Sequence, residues 1–464
     1  MTKHYFCSMN LPAVFVDMLK GLLPTEWEAL QLAIGQSEAS VSVRVNPLRQ
    51  IVVPQGADRV PWCPDGFYLD RREPFTFDTD FHAGRYYVQD ASSMFIHHVL
   101  AALVREPVRY LDLCAAPGGK ATAAMSALPM GSLVVANEVV PQRARVLCDN
   151  VMRWGNPAAV VASSTPAQWG KMRHWFDVIA ADVPCSGEGM MRKEEEAVAQ
   201  WSPSLVEQCA TRQRTIVDDV WPALRPGGLF VYSTCTYNRQ ENEEIVEHLM
   251  RHYGAQSVEV PVEPSWNIHP AVESPCVAYR FMPHRTRGEG LFLAVLQKPD
   301  DEPCVPFKPK RLPSTSPVKT QQPQEWLADA SAMSWTMQGD NAVAVPREHA
   351  VSVDVLRSSV QVLQAGVTVA TAKGKGFVPH QALALSAALA RGVVCCEVDY
   401  RTAMAYLRGE AIVVDAPRGY VIVTHRGAAL GWANNLGNRA NNLYPKGLRV
   451  LSSHIPETEP MVVG

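Results

Sequence analysis

Two cysteines stand in turns whose neighbours suit them for chemistry. One lies in Asp182-Val183-Pro184-Cys185-Ser186-Gly187, the other in Ser233-Thr234-Cys235-Thr236-Tyr237, about fifty residues later. Upstream, Leu111-Asp112-Leu113-Cys114-Ala115-Ala116-Pro117-Gly118-Gly119-Lys120 reads as an apolar strand running into a glycine turn. A thiolate near a second thiol and an acid suits covalent catalysis on an electron-poor ring. The C5 atom of a pyrimidine is a poor nucleophile until a thiolate adds at C6 and makes C5 enamine-like. That chemistry needs a thiolate, an acid facing N3, and a base or second thiol for release. Cys235, Cys185 and Asp182 supply these types at adjacent strand ends. Most cysteines are small buried fillers, and Cys7, Cys63, Cys148, Cys209, Cys276, Cys304, Cys395 and Cys396 take that reading. The rival for the two motif cysteines is a redox dithiol, which needs neither the glycine turn nor Asp182.

In the glycine turn, small residues let a ligand approach the backbone. The helix that follows offers unpaired N–H groups to a carboxylate. Lys120 adds a charge, and Glu138 at the end of the next strand is placed to hold ribose hydroxyls. The Gly-Lys-Ser/Thr ending of a phosphate loop is missing, as is the dinucleotide fingerprint. A bare structural turn is the alternative; Glu138 favours a nucleoside cofactor.

Elements that position these groups alternate from Val108 onward. Strands are expected at Tyr110 to Leu113, Leu133 to Ala136, Val160 to Ala162, Phe176 to Ala181, Leu229 to Ser233 and Leu291 to Leu296. Helices are expected at Lys120 to Leu128, Pro141 to Trp154 and Ser204 to Leu224, the last stopped by Pro226-Gly227-Gly228. Asn238 with Glu241 is expected to cap another helix, running to about Tyr253. The pattern gives an α/β fold with a mostly parallel sheet and ligands at the strands' carboxyl ends. Before it, residues 1–105 read as an α+β module. Its helices fall at Leu11 to Leu23, Pro24 to Ile34 and Val88 to Val104, with a strand at Ser42 to Pro47. Residues 106–298 form the catalytic domain and 299–325 a proline-rich linker. Residues 326–464 form a β-rich C-terminal region with one helix at Pro379 to Ala390.

The 464 residues are too many for one ordinary domain, and a net charge of −3 advertises no global attraction to nucleic acid. Between Arg401 and Arg449, however, basic residues outnumber acids seven to two. A basic face suits an RNA-contacting module; an unevenly charged surface is the alternative. No apolar run of about 18 residues spans a membrane, the N-terminus lacks a signal peptide's apolar core, and the scattered cysteines suggest neither disulfides nor a metal site. A cytoplasmic, monomeric protein is expected.

Residues 106–298 resemble the RNA cytosine-C5 methyltransferases of the NOL/NOP/Sun group. The resemblance is carried by Cys114 to Lys120, Glu138, Asp182 to Gly189, and Ser233-Thr234-Cys235-Thr236. It implies a Rossmann-like core that uses S-adenosyl-L-methionine. Cys235 is then the nucleophile, Cys185 assists release, and Asp182 faces the N3/N4 edge of cytosine. Cys114, Ala115, Ala116, Pro117, Gly118, Gly119 and Lys120, with Glu138 and Asp182, would line the cofactor. Where the family carries an Asp toward the adenine, this chain has Thr165, whose hydroxyl can accept a hydrogen bond. Arg44 matches a recurring N-terminal element and, with Arg192 beside Lys193, is expected to contact RNA. An edge-strand charge at Arg44 and a solvated pair at Arg192-Lys193 are the alternatives. The tail from Leu430 to Arg449, with Lys446 and Arg449 as RNA contacts, resembles a PUA-type RNA-binding barrel. Together the modules look like the bacterial 16S rRNA methyltransferase F subgroup. That resemblance implies 16S rRNA in the 30S ribosomal subunit as substrate.

Overall fold

In this computed structural model, residues 11–36, 39–49, 51, 53, 56–301, 303–304, 307–309, 322–452 and 454–463 are described. Cys7 and most of the expected 299–325 linker lie outside them. Apolar runs that are buried on both faces make a parallel sheet covered by helices. Here five parallel strands lie in the spatial order Leu224–Thr234, Phe176–Asp182, Arg109–Asp112, Leu133–Asn137 and Ala159–Ala162. Chain order reverses beside Arg109–Asp112, the position where such sheets open a ligand crevice. Antiparallel strands Leu291–Gln297 and Tyr279–Phe281 close one edge. At the other edge, Val362–Ala365 pairs antiparallel with Ala159–Ala162. The catalytic sheet therefore borrows its last strand from beyond the linker.

Local signals account for most helices. Pro141 opens Pro141–Trp154 at its first turn, and Gly155 closes it in a left-handed conformation at φ 80°. Ser202 Oγ accepts from Leu205 N at 3.1 Å and caps Pro203–Val220. That helix ends earlier than expected, and Pro226-Gly227-Gly228 lies inside the strand Leu224–Thr234. Pro222, which has no N–H to continue the helix, stands just past its end in the short turn Trp221–Ala223. The expected Asn238 cap contact forms, Glu241 N donating to Asn238 Oδ1 at 2.9 Å, but the helix starts only at Glu243–Tyr253. The helix expected over Val88 to Val104 is a strand end, a 3-10 turn and then Phe95–Leu103. The one expected at Pro379 to Ala390 is reduced to Gln381–Ala384.

The N-terminal module packs helices Ala13–Leu22 and Trp27–Gln36 with a three-stranded sheet centred on Val41–Val45. Beyond the linker, Met333–Gln338, Asn341–Pro346, Val367–Lys373 and Gly376–Pro379 form one four-stranded sheet. Cys395–Glu397, Gly419–His425, Ala428–Asn435 and Ala440–Asn442 form a second. This last unit docks on the N-terminal module, where Arg426 pairs with Asp80 at 3.2 Å and Tyr444 meets His82 at 3.4 Å.

Arg44 corrects the sequence reading. It is neither an edge-strand charge nor an RNA contact, because it lies on the central strand and is 0% exposed. Its guanidinium donates to Gln89 Oε1 at 2.8 Å, Thr122 Oγ1 at 2.6 Å and the Gly119 carbonyl at 3.3 Å, and stacks 4.5 Å from the Trp154 ring. It ties the N-terminal module to the helix that leaves the glycine turn. Arg44→Met keeps the bulk and orphans these acceptors, so a loss of about 3 kcal/mol in unfolding free energy is expected from urea titration. An unchanged midpoint would show that the tie is not needed.

Candidate active site

The register of two parallel strands builds the site. Asp182 pairs opposite Ser233, and the chains leave the sheet together. Three residues past Asp182 and two past Ser233, the Cys185 and Cys235 sulfurs approach to 3.1 Å. Asp182 Oδ1 accepts from Ser233 Oγ at 2.8 Å, and Oδ2 accepts from Lys120 Nζ at 2.8 Å. The hydrogen bond with Cys235 and burial push the Cys185 thiol well above its ordinary pKa. Cys185 therefore holds its proton beside the Cys235 sulfur. Burial works against the Lys120 ammonium, but the Asp182 carboxylate outweighs it and keeps Lys120 protonated.

The glycine turn sits one strand over. Gly118 has φ 118°, a conformation open to glycine, and starts the helix Gly119–Ala127. Arg143 Nη2 donates to the Ala116 carbonyl at 2.9 Å and Asn150 Nδ2 to the Pro117 carbonyl at 2.7 Å, which fixes the loop from outside. Asn137 stitches it to the third strand end, donating to the Leu113 carbonyl at 2.9 Å and the Ser164 carbonyl at 3.0 Å. Cys114 lines the loop, and burial drives its thiol pKa up, so it is no nucleophile. Asp112 is 1% exposed and Glu138 3% exposed, and each keeps one buried carboxylate oxygen without a hydrogen-bond partner. Arg143 pairs with that Glu138 oxygen at 3.2 Å, whereas the Asp112 oxygen has no hydrogen bond. Burial, reinforced by Asp182, raises the Asp112 pKa to about 7. When all are ionised, Asp112, Glu138 and Asp182 outnumber Lys120 and Arg143 by one negative charge. Such a crevice suits a ligand that brings hydrogen-bond donors and positive charge.

Sequence reasoning therefore brought Cys185, Cys235, Asp182, Lys120, Glu138 and the glycine turn to one sheet end. It passed over Asp112 and Asn137, although both end strands that flank the loop. Thr165 caps the helix Pro166–Gly170, its hydroxyl accepting from Gln168 N at 3.3 Å, so the hydroxyl expected at the adenine is engaged locally. Arg192 is mostly enclosed: it donates to the Gly288 carbonyl at 3.2 Å and pairs with Glu289 at 3.7 Å. In that position it braces a loop and does not face phosphate. Lys446 is exposed on the Lys446–Leu448 turn, whereas Arg449 folds over Gly409. Among the described residues, no three His, Cys, Asp or Glu side chains are grouped to hold a metal ion, and no helix is long and apolar enough to cross a membrane.

Comparison with known proteins adds a family to this geometry. Residues 99–297 match the family described as 16S rRNA methyltransferase RsmB/F. Residues 11–91 match the N-terminal domain of 16S rRNA methyltransferase RsmF, and 393–450 match the methyltransferase RsmF PUA domain. Ribosomal RNA small subunit methyltransferase F of Cronobacter sakazakii is 31% identical over 476 residues, covering 96% of this chain and 97% of that protein. The protein of the same name from Shewanella loihica is 33% identical over 414 residues, 84% of this chain and 83% of that one. Among solved structures, a methyltransferase homolog from Pyrococcus horikoshii shares the fold at TM-score 0.52 and 24% identity, over 62% of this chain and 96% of its own. NSun6 from Pyrococcus horikoshii, solved with SFG, does so at TM-score 0.53 and 19% identity, over 63% and 99%.

The raised Cys185 thiol has a direct readout. With iodoacetamide near neutral pH, the exposed Cys304 should be alkylated well before Cys185, whose thiol is held neutral. Peptide mass spectrometry reads the order; faster labelling at Cys185 would contradict the geometry.

Proposed function

The chain belongs to the ribosomal RNA small subunit methyltransferase F family, and from that membership we propose that it methylates C5 of a cytidine in 16S rRNA through a covalent Cys235–C6 bond. The observation that carries this reading is the 3.1 Å approach of two thiols beside Asp182, at the sheet end that also holds the glycine turn. S-adenosyl-L-methionine, when bound, supplies an electrophilic methyl group on a cationic sulfur. The Asp112 oxygen without a hydrogen bond fits its ammonium, the Glu138 carboxylate fits its ribose hydroxyls, and the excess negative charge fits its net positive charge.

The target base must leave its stack, at a cost of a few kcal/mol. The Cys235 thiolate then bonds to C6, and the C5=C6 pair shifts toward N3. N3 takes a proton that the Lys120 ammonium relays through Asp182, which Ser233 also holds; that proton returns when the double bond is restored. C5 takes the methyl group, and its proton must then depart. Bond formation at C6 removes the Cys235 charge and its hydrogen bond to Cys185, the two interactions with Cys235 that kept the second thiol neutral. Relieved of that charge, the Cys185 thiol passes its proton to solvent, and the resulting thiolate takes the C5 proton. The C6–S bond breaks, its electron pair stays on the Cys235 sulfur, and the C5=C6 bond is restored. Arg280 and Glu243, a buried pair beneath the Cys235 turn, keep Tyr237 in place through the Tyr237 carbonyl, to which Arg280 Nη1 donates at 2.6 Å.

Three outcomes are expected. Cys235→Ala should lower transfer of labelled methyl to 16S rRNA on the order of 10⁴-fold or more. Cys185→Ala should leave a protein–RNA adduct that survives denaturing gels. A freely turning-over Cys185→Ala enzyme, or an adduct on Cys235→Ala, would contradict the roles. Bisulfite sequencing of rRNA and tRNA from cells without the protein separates the substrates, because loss of a tRNA signal with rRNA intact would overturn the rRNA reading.

Asp112 sets a pH dependence. Its pKa is raised, so the ligand-free fold holds that proton longer than the unfolded chain and loses stability as pH rises from about 4 to about 7. A cationic ligand favours the ionised form. Affinity for S-adenosyl-L-methionine should therefore rise by up to about tenfold per pH unit below 7 and level off above it. Calorimetry on Asp112→Asn should show weaker and pH-independent binding; an unchanged slope would remove Asp112 from the cofactor site.

A further inference from the structure

Behind the cysteine turns lie two carboxylates that the proposed chemistry does not use. Glu188 and Glu241 are both 0% exposed. Glu188 follows Cys185 in the chain, yet its oxygens accept from groups that follow Cys235. These are Tyr237 N at 2.6 Å, Asn238 N at 2.9 Å and Asn238 Nδ2 at 2.8 Å. Trp201 Nε1 adds a fourth bond at 3.0 Å. Glu241 follows Cys235, yet its Oε2 accepts from Ser186 N, next to Cys185, at 3.0 Å. Gln213 Nε2 donates to the same oxygen at 2.7 Å and to the Pro184 carbonyl at 3.0 Å. Asn238 Nδ2 also reaches Glu241 Oε1 at 2.8 Å, so one amide bonds to both carboxylates.

Each turn is thus gripped by a carboxylate rooted beyond the other cysteine. Buried carboxylates are a poor way to gain stability, since well-packed apolar residues serve the fold at least as well. What crossed carboxylates add is a fixed distance between two loops. Addition of Cys235 to the ring depends on its own turn. Proton removal by Cys185 depends on how the two turns sit relative to each other. We infer that Glu188 and Glu241 are positioning residues, crossed struts that fix the Cys185–Cys235 separation and so govern product release more than methyl transfer. This inference rests on the thiol roles proposed above.

Glu188→Gln keeps the shape but presents an amide to four converging donors. Its expected signature is split kinetics. A single-turnover burst of labelled methyl on 16S rRNA persists, while steady-state turnover falls on the order of a hundredfold and a gel-stable adduct accumulates. Trp201→Phe removes one donor to Glu188 and keeps a ring; it should give the same split at smaller amplitude, and it carries the test if E188Q yields little folded protein. In a Cys185→Ala background, Glu188→Gln should not lengthen the adduct lifetime further, because both changes act on one step. Burst and turnover falling together without adduct would overturn the inference, as would additive effects in the double variant. Adduct from Cys185→Ala but not from E188Q or W201F would refute the struts alone. No adduct from Cys185→Ala would overturn both the struts and the thiol roles.

Discussion

The active site depends on the parallel pairing of Phe176–Asp182 with Leu224–Thr234. With Asp182 opposite Ser233, the two turns begin at the same height above the sheet and their sulfurs meet at 3.1 Å. A slip of one residue would turn every side chain of one strand to the opposite face and separate the thiols. The register is fixed from both sides. The apolar faces are buried between helices, and Asp182 and Ser233 are joined across the pair by a 2.8 Å hydrogen bond. Glu188 and Glu241 extend that control past the sheet, alongside the backbone bond from Gly189 N to the Cys235 carbonyl at 2.8 Å.

Electrostatics divides the labour among groups that share the crevice. Among the described residues, Lys120 is the ammonium that faces Asp112 and Asp182, and it is committed to Asp182 at 2.8 Å. Asp112 therefore carries the strain of burial and titrates near 7. The Cys185 thiol is likewise pushed up by its hydrogen bond with Cys235, by burial and by charge on Cys235. In the proposed reaction this coupling orders events: the first sulfur must bond to carbon before the second can ionise.

Much of this was legible in the sequence because it is local. The strands that carry the site fall at or near the expected bounds, except that Leu224–Thr234 starts five residues early, and Pro141–Trp154 matches them in full. Cys185, Asp182 and Cys235 were readable because polar turns with proline or threonine are poor places for filler cysteines. What escaped is what depends on distant partners. Arg44 looked like a surface charge; only the packing of Gln89 and Thr122 around it makes it a buried tie. Glu188 sat in a motif with no role of its own and Glu241 read as a helix-cap partner, whereas the donors of both lie across the other turn. The strand Val362–Ala365 carries no mark that it completes a sheet two hundred residues away. Thr165 read as a ligand contact, whereas the Thr-Pro-x-Gln spacing beside it made a capping box.

The central claim is that Cys235, and not Cys185, bonds to C6 of the target cytidine. It is tested most directly with 16S rRNA transcribed with 5-fluorocytidine, in which fluorine replaces the proton that must leave C5. Fluorine is not lost as a cation, so the reaction should stop with methyl on C5 and the enzyme still attached at C6. Protease digestion and mass spectrometry of the wild-type adduct then identify the linked residue. The account predicts a nucleotide-bearing peptide that contains Cys235; attachment at Cys185, or methylated product with no adduct, would contradict it.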